Sequence, residues 1–213
     1  DGADELARVV DLSLAQGVTL IRGMQGAPGQ LAARRRMLAD ATTWPELVLA
    51  GPPVANALTP EQAVELVRTQ QAAGYDLIKI LGGIDRAAYD AIVATAKELR
   101  IPVAGHVPRE IGLAAALDAR QVSIEHLMGY LDAAPDGGAA LDALARTTAE
   151  RRIWNCPTLD FFATALATDA ELDRRDGLAF ATSAELAAWA DSRRTNPPAA
   201  EAAARQARRY QIV

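Results

Sequence analysis

Apolar positions along this chain follow two alternating patterns. Six short apolar runs begin near residues 18, 47, 76, 101, 121 and 152, and each is short enough for a buried strand. Between the runs, apolar residues recur at spacings of three and four, as they do on one face of a helix. Strand starts separated by roughly 20 to 30 residues are typical of βα units rather than hairpins. The pattern therefore predicts an α/β fold with about six parallel strands.

Local signals support the helical segments. The sequence Thr59-Pro60-Glu61-Gln62 has a capping threonine, a proline in the first turn and a glutamine three residues after the cap, and the helix it begins should end at Gly74. Beyond Thr158 the chain is rich in alanine and charged residues, which predicts two or three helices and no further strand.

Two parallel architectures compete, an open doubly wound sheet and a closed (β/α)8 barrel. The glycine-containing segment Gly23-Met-Gln-Gly26-Ala-Pro-Gly29 matches neither the dinucleotide fingerprint nor a phosphate-binding loop, and we interpret it as an ordinary turn. The barrel explains more, because its functional residues come from the carboxyl ends of several strands.

Composition narrows the class of protein. The 213 residues are enough for one large domain or two small ones, and their 50% hydrophobic content allows a sizeable core. A net charge of -5 makes nucleic acid an unexpected partner, and no apolar run has the length of a membrane span. Cys156 is the only cysteine of the chain, so no internal disulfide is expected.

Three side chains suited to metal binding or nucleophilic chemistry end successive predicted strands. They are Lys79, His106 and His126. Strand alternation places Lys79 opposite to Ile78 and Ile80 and predicts that His126 shares the face of Ile124. A lysine in so apolar a strand needs compensation, as a buried ion pair, as a neutral amine acting as base or Schiff-base nucleophile, or as a carbamate that binds metal.

Four residues near these three are interpreted as structural or as contacts to a substrate. Glu125, on the face opposite to that assigned to His126, is interpreted as structural or as a group that orients a ligand. Cys156 is interpreted as a small buried hydrophobe. Asn155 and Thr158, at the end of the next strand, are candidate contacts to a substrate.

At these residues the chain resembles the amidohydrolase superfamily of metal-dependent hydrolases, in the branch of imidazolonepropionase-like and Xaa-Pro dipeptidase-like members. The resemblance covers about 140 residues. It rests on Gly17-Val-Thr-Leu-Ile-Arg22, Gly74-Tyr-Asp-Leu-Ile-Lys79-Ile, Pro102-Val-Ala-Gly-His106-Val-Pro108, Ser123-Ile-Glu-His126 and Cys156-Pro-Thr-Leu159.

The resemblance implies a single barrel domain over residues 1–213 and one or two divalent metal ions, zinc first. Lys79 would carry a carbamate that bridges two metals, and His106 and His126 would bind the second metal. A metal-activated water would cleave an amide or related C–N bond in a small-molecule substrate, by the chemistry of an amidohydrolase or a dipeptidase.

The chain also departs from the family pattern. A His-x-His at the end of the first strand and an aspartate at the end of the eighth are not in this sequence, so we expect a partial TIM barrel that lacks its first and last strands. Residues 203–213 resemble the helix before strand eight, and the aspartate base would lie beyond Val213. This chain alone is then expected to be inactive.

Two alternatives stay open at this point. The first is a metal-free Schiff-base lyase that uses Lys79, and the second is a barrel remnant that binds a ligand without catalysis. Further copies of the same chain are compatible partners in a homo-oligomer.

Overall fold

The computed structural model describes residues 2–39 and 44–195, together with residues 204, 207 and 208. Within these residues, helices and strands alternate. The strands are β1 (Leu20–Gly23), β2 (Glu46–Leu49), β3 (Ile78–Ile80), β4 (Val103–Gly105), β5 (Ser123–Glu125) and β6 (Trp154–Cys156). The helices are α1 (Gly2–Ala15), α2 (Pro28–Ala39), α3 (Pro60–Ala73), α4 (Arg86–Leu99), α5 (Gly112–Asp118), α6 (Tyr130–Ala133), α7 (Gly138–Glu150), α8 (Leu159–Leu166), α9 (Asp169–Leu172) and α10 (Ser183–Thr195), with a 3-10 turn at Leu178–Phe180.

All strand pairs are parallel. Strand β1 pairs with β2, and β3, β4, β5 and β6 pair in that order. Two isolated parallel bridges, Ala50 with Leu77 and Val54 with Ile80, connect the two groups. The six strands therefore lie side by side in sequence order, which confirms the predicted parallel α/β fold. Closure of the sheet into an eight-stranded barrel stays a prediction.

The regular strands are shorter than the apolar runs that predicted them. For the run that begins at Ile101, the ladder of β4 begins only at Val103, because Pro102 has no backbone N–H to donate; its carbonyl still accepts from the N–H of Ile78 at 2.8 Å.

The predicted capping box of α3 is present. The Thr59 hydroxyl accepts from the N–H of Gln62, and the Gln62 side chain accepts from the N–H of Thr59 at 2.9 Å. The helix ends at Gly74, which has a left-handed φ of 92° that favours glycine. Helix α6 was not predicted, because four residues are too few to show a helical period.

The two faces of the sheet differ in what they contact. Ile78 and Ile80 pack in a core cluster with Val67 of α3 and Ile92 of α4, so they face the helices. Ile124 packs in a second cluster with residues of α5 and Tyr130. On the opposite face Leu77 packs with Ala50 and Ala104. We call this opposite face, which also carries Arg22, Lys79, Ser123 and Glu125, the inner face.

After β6 the described residues form helices and no strand, as predicted. The helix predicted for residues 203–213 lies largely outside the described residues. No helix in the described part of the chain is long and apolar enough to cross a membrane.

Candidate functional site

The inner face carries a buried polar network that joins strands far apart in the sheet. Arg22 of β1 donates from Nη2 to both carboxylate oxygens of Glu125 of β5, at 3.0 and 2.9 Å, and from Nη1 to the Ser123 hydroxyl at 2.7 Å. Ser123 Oγ donates to Glu125 Oε1 at 2.6 Å. In a flat sheet β1 and β5 would lie about 19 Å apart, beyond the reach of these side chains. The sheet must therefore curve around the inner face.

Lys79 lies on this face, as its position in the strand predicted. Lys79 is 4% exposed to solvent. Burial lowers the pKa of Lys79; the Glu125 carboxylate acts in the opposite direction, and the Arg22 guanidinium lowers the pKa further. No carboxylate of the described residues forms an ion pair with Lys79, because Glu125 pairs with Arg22. The ion-pair explanation of this lysine is thus disfavoured, and the neutral amine and the carbamate remain.

Gly105 of β4 makes room for the Lys79 side chain. Gly105 has a φ of +123°, and a Cβ there would lie 2.3 Å from the Ile80 carbonyl oxygen and 2.8 Å from Cδ of Lys79. Only glycine fits this close approach without displacing a neighbour. The stem of Lys79 therefore passes directly over the strand that ends one residue before His106.

His106 follows β4 and is partly buried. Its Nδ1 lies 2.9 Å from the Leu81 carbonyl oxygen. A carbonyl can only accept, so Nδ1 carries the hydrogen and the lone pair of the neutral ring lies on Nε2. Burial lowers the pKa of His106, and the charge of Lys79 lowers it further, against the opposing effects of the Leu81 hydrogen bond and Glu125. Both shifts favour the neutral imidazole.

His126 lies beside His106, although strand alternation had assigned it to the face of Ile124. That prediction is wrong, because alternation ends before His126: this residue and Leu127 adopt left-handed φ angles of 63° and 54°. The imidazole rings of His106 and His126 have centroids 5.0 Å apart with an interplanar angle of 67°. Consecutive left-handed non-glycine residues are strained, and such strain is often found at functional sites.

A hydroxyl group orients the His126 ring. Nδ1 of His126 lies 2.5 Å from Oγ1 of Thr158, and that hydroxyl donates its hydrogen to the Pro157 carbonyl at 2.8 Å. Thr158 Oγ1 therefore accepts from Nδ1–H, which puts the lone pair of His126 on Nε2 as well. The Phe162 ring also packs edge to face against His126, and the two ring centroids lie 5.7 Å apart.

The other predicted residues are placed differently. Asn155 pairs in register with Ile124, on the side of the sheet that faces the helices, and its Nδ2 donates to Tyr130 Oη at 3.2 Å. The structure therefore does not bring Asn155 to the histidines, whereas it brings Thr158 into contact with one of them. Cys156 is only partly buried; burial raises the pKa of its thiol, as does Glu125.

The arrangement of these groups fits part of a metal site. Both histidines have the tautomer typical of metal ligands, with one nitrogen hydrogen-bonded to oxygen and the lone pair on the other. Among the described residues no group of three or more histidine, cysteine, aspartate or glutamate side chains could hold a metal ion. Lys79 lies on the same inner face, and it could supply oxygen atoms to a metal ion only as a carbamate.

Sequence reasoning missed the roles of Arg22 and Phe162. Arg22 ends an apolar run, and a charge in such a position needs a partner; this signal could have pointed to a buried ion pair. Glu125 was interpreted as structural, and its contact with Arg22 agrees with that reading. Nothing in the local sequence indicates that Phe162 contacts His126.

No family model matches this sequence, and no curated protein matches it significantly. Solved structures do match. A bottromycin amidohydrolase has a TM-score of 0.67 at 23% identity, over 96% of this chain and 51% of its own. A Xaa-Pro dipeptidase with bound methionine in its active site has a TM-score of 0.55 at 20% identity, over 74% of this chain and 45% of its own. The ochratoxinase of A. niger has a TM-score of 0.59 at 18% identity, over 89% and 51%.

This chain therefore spans about half the length of the solved structures it matches. The matches confirm, at the level of the fold, the resemblance to amidohydrolases that the motifs predicted.

Proposed function

We propose that this chain forms part of a metal-dependent hydrolase of the amidohydrolase type, which cleaves an amide or related C–N bond in a small-molecule substrate. One observation carries the proposal: two imidazoles with their lone pairs on Nε2 lie 5.0 Å apart beside Lys79, a buried lysine without an ion-pair partner among the described residues. The hydrolase names of the matching structures agree with it.

In this proposal His106 and His126 would hold a divalent metal ion, zinc first. Lys79, converted to its carbamate by addition of carbon dioxide to the neutral amine, would supply oxygen ligands. A divalent ion in such a site supplies Lewis acidity, which acidifies water and polarises a carbonyl group. The curved sheet would then belong to a (β/α)8 barrel.

The described residues prepare this site in three ways. The Leu81 carbonyl and the Thr158 hydroxyl fix both imidazole tautomers. Burial lowers the pKa of His106, which favours the neutral ring that can donate its lone pair. Because Gly105 has no Cβ, the Lys79 side chain can lie over the end of β4. His106 and His126 follow their strands at this same end of the sheet.

A Schiff-base lyase remains the second candidate, because the lowered pKa of Lys79 also favours a neutral nucleophilic amine. Borohydride reduction in the presence of a small aldehyde or keto acid would attach the carbonyl compound to Lys79 if this candidate is correct. The metal hypothesis predicts no such adduct in the metal-loaded protein.

Metal content tests the main proposal. In the full-length protein we expect zinc to fall well below the wild-type stoichiometry in Lys79→Ala and in His106→Ala, together with hydrolase activity. Lys97→Ala is the matched control, since Lys97 is the other lysine of the chain and is exposed on α4. Unchanged metal occupancy in both site variants would refute the assignment.

A further inference from the structure

A run of four aromatic rings leads from the two histidines to the surface. The ring centroids of His106 and His126 are 5.0 Å apart, and Phe162 packs against His126 at 5.7 Å. Phe161 packs in turn against Phe162, with centroids 5.3 Å apart and an interplanar angle of 80°. Phe161 is therefore separated by only two ring contacts from a residue to which the proposed function gives a metal ion.

The outer end of this run is open to solvent. Phe161 is 65% exposed, and no residue of α8 is buried, although the helix is mostly apolar in sequence. A large apolar side chain in water lacks the stabilisation that burial supplies. Small-molecule sites are lined mainly by apolar and aromatic side chains, so an exposed ring joined to a candidate site is suited to contact a ligand.

Helix α8 is held in place by contacts at both of its turns. Arg175 donates from Nη1 to the Thr164 hydroxyl at 2.5 Å and to Asp160 Oδ1 at 3.2 Å, so one guanidinium group joins successive turns of the helix. Thr158, the residue before α8, contacts the His126 ring. A ligand would therefore meet aromatic rings that are already positioned relative to the histidines, which lowers the cost of binding.

We propose that Phe161 and Phe162 form a subsite for an apolar group of the small-molecule substrate, an aromatic ring above all. This inference rests on the proposed function, because the histidines then mark the position of the reacting carbonyl group. An aromatic group attached a few bonds from that carbonyl would extend the run of rings. The contact of Phe162 with His126, rather than exposure alone, assigns this surface to the substrate.

Other exposed aromatic residues do not have this connection. Trp154 is 77% exposed but begins β6, whereas the histidines follow the carboxyl ends of their strands. Phe180 is 59% exposed in the 3-10 turn, where its carbonyl accepts from Arg8 of α1 at 3.1 Å. Phe180 resembles Phe161 in residue type and exposure and is therefore the matched control.

Binding of two inert carboxylates to the full-length protein, as purified, tests the subsite without turnover. Hydrocinnamate and propionate differ only in a phenyl ring, and NMR titration gives their dissociation constants. We expect hydrocinnamate to bind at least about tenfold more tightly, the lower end of the discrimination that hydrophobic pockets achieve. The carboxylate is common to both probes, so the contribution of a metal ion largely cancels in the ratio of the two constants.

Variants assign the preference to the aromatic pair. Phe161→Ala should weaken the binding of hydrocinnamate about fivefold and leave that of propionate unchanged, because only the phenyl ring contacts the subsite. Phe161→Trp keeps an aromatic ring and should retain the preference, and Phe180→Ala should change neither constant. If Phe161 only packed against Phe162 to support the site, Phe161→Ala would weaken both probes alike.

Several results would overturn the inference: equal or unmeasurable binding of the two probes, a preference that survives in Phe161→Ala, or equal effects of Phe161→Ala and Phe180→Ala. Self-association of the protein that Phe161→Ala abolishes would assign the ring to a second copy of the chain and would also overturn it. Failure of the proposed hydrolase function would appear in the zinc content of the Lys79 and His106 variants. Loss of the phenyl preference with normal zinc content would remove the subsite alone.

Discussion

The hydroxyl oxygen of Thr158 lies 2.5 Å from Nδ1 of His126, 32 residues earlier in the chain. Thr158 has a left-handed backbone, with φ 50° and ψ 42°, at the start of α8. The turn after β6 therefore orients the imidazole ring of His126, the residue that directly follows β5. A residue that the sequence marked as a candidate substrate contact thus has a second use, the orientation of a metal-ligand candidate.

Replacement of Thr158 by valine should weaken metal binding while leaving the fold intact. Valine has nearly the same shape but cannot accept from Nδ1–H, so the His126 ring loses the contact that selects its tautomer. Loss of such a partner typically reduces metal affinity about 10- to 100-fold. Zinc titration with a competing chelator, on the full-length protein, measures the effect. Thr158→Ser keeps the hydroxyl and should retain most of the affinity; equal affinities for valine and serine would contradict this role.

Glu125→Gln should destabilise the fold substantially. The amide cannot balance the Arg22 guanidinium, which would be left partly buried without a counter-charge. Breaking a buried pair from one side typically costs about 3 to 5 kcal/mol, and the partial exposure of Arg22 reduces our expectation to about 2 to 3 kcal/mol. Urea unfolding measures the change.

Asp90→Asn is the matched control for this prediction. Asp90 pairs with Arg86 one turn away on α4, and both side chains are more than half exposed. An exposed pair of this kind contributes less than about 1 kcal/mol. Similar losses of unfolding free energy in the Glu125 and Asp90 variants would contradict the buried, isolated character of the inner network.

Gly105→Ala should lower the free energy of unfolding more than the same substitution at another glycine with a positive φ. At Gly105 the new Cβ meets the Ile80 carbonyl oxygen and the Lys79 stem, so contact is added to backbone strain, at a combined cost of about 3 kcal/mol. Gly74→Ala adds strain alone, because nothing lies within 4 Å of a Cβ there, and should cost about 1 kcal/mol. Thermal unfolding of the two variants tests the difference, which would vanish if β4 could shift away from β3.

Local signals in the sequence determined the elements but not the contacts among distant strands. The capping box at Thr59 and the face of Lys79 were predictable, because a cap depends on residues within four positions and strand parity on immediate neighbours. The left-handed backbone at His126 was not predictable from parity. With this left-handed backbone, His126 lacks the strand geometry on which the alternation of side chains depends.

The Arg22–Glu125 pair shows the second limit. Its partners are 103 residues apart, and their meeting depends on the curvature of the whole sheet rather than on any local pattern. The sequence could indicate that a charge at the end of an apolar run needs compensation, as it did for Lys79. It could not choose which of the available carboxylates would supply it, because that depends on which distant strands the fold brings together.

The stability of the chain should fall as the pH drops below the ordinary histidine range, partly because of His106. Burial lowers the pKa of His106 in the native state, so below about 6.5, its ordinary value, the unfolded chain binds the proton more readily than the folded one. One such group contributes a slope of at most about 1.4 kcal/mol per pH unit in that window and nothing well above it. Urea unfolding between about pH 7.5 and about pH 5.5 should show a smaller loss in His106→Asn than in wild type, because asparagine cannot titrate. Parallel losses in the two proteins would mean that His106 takes up its proton equally well in both states, which its buried position opposes.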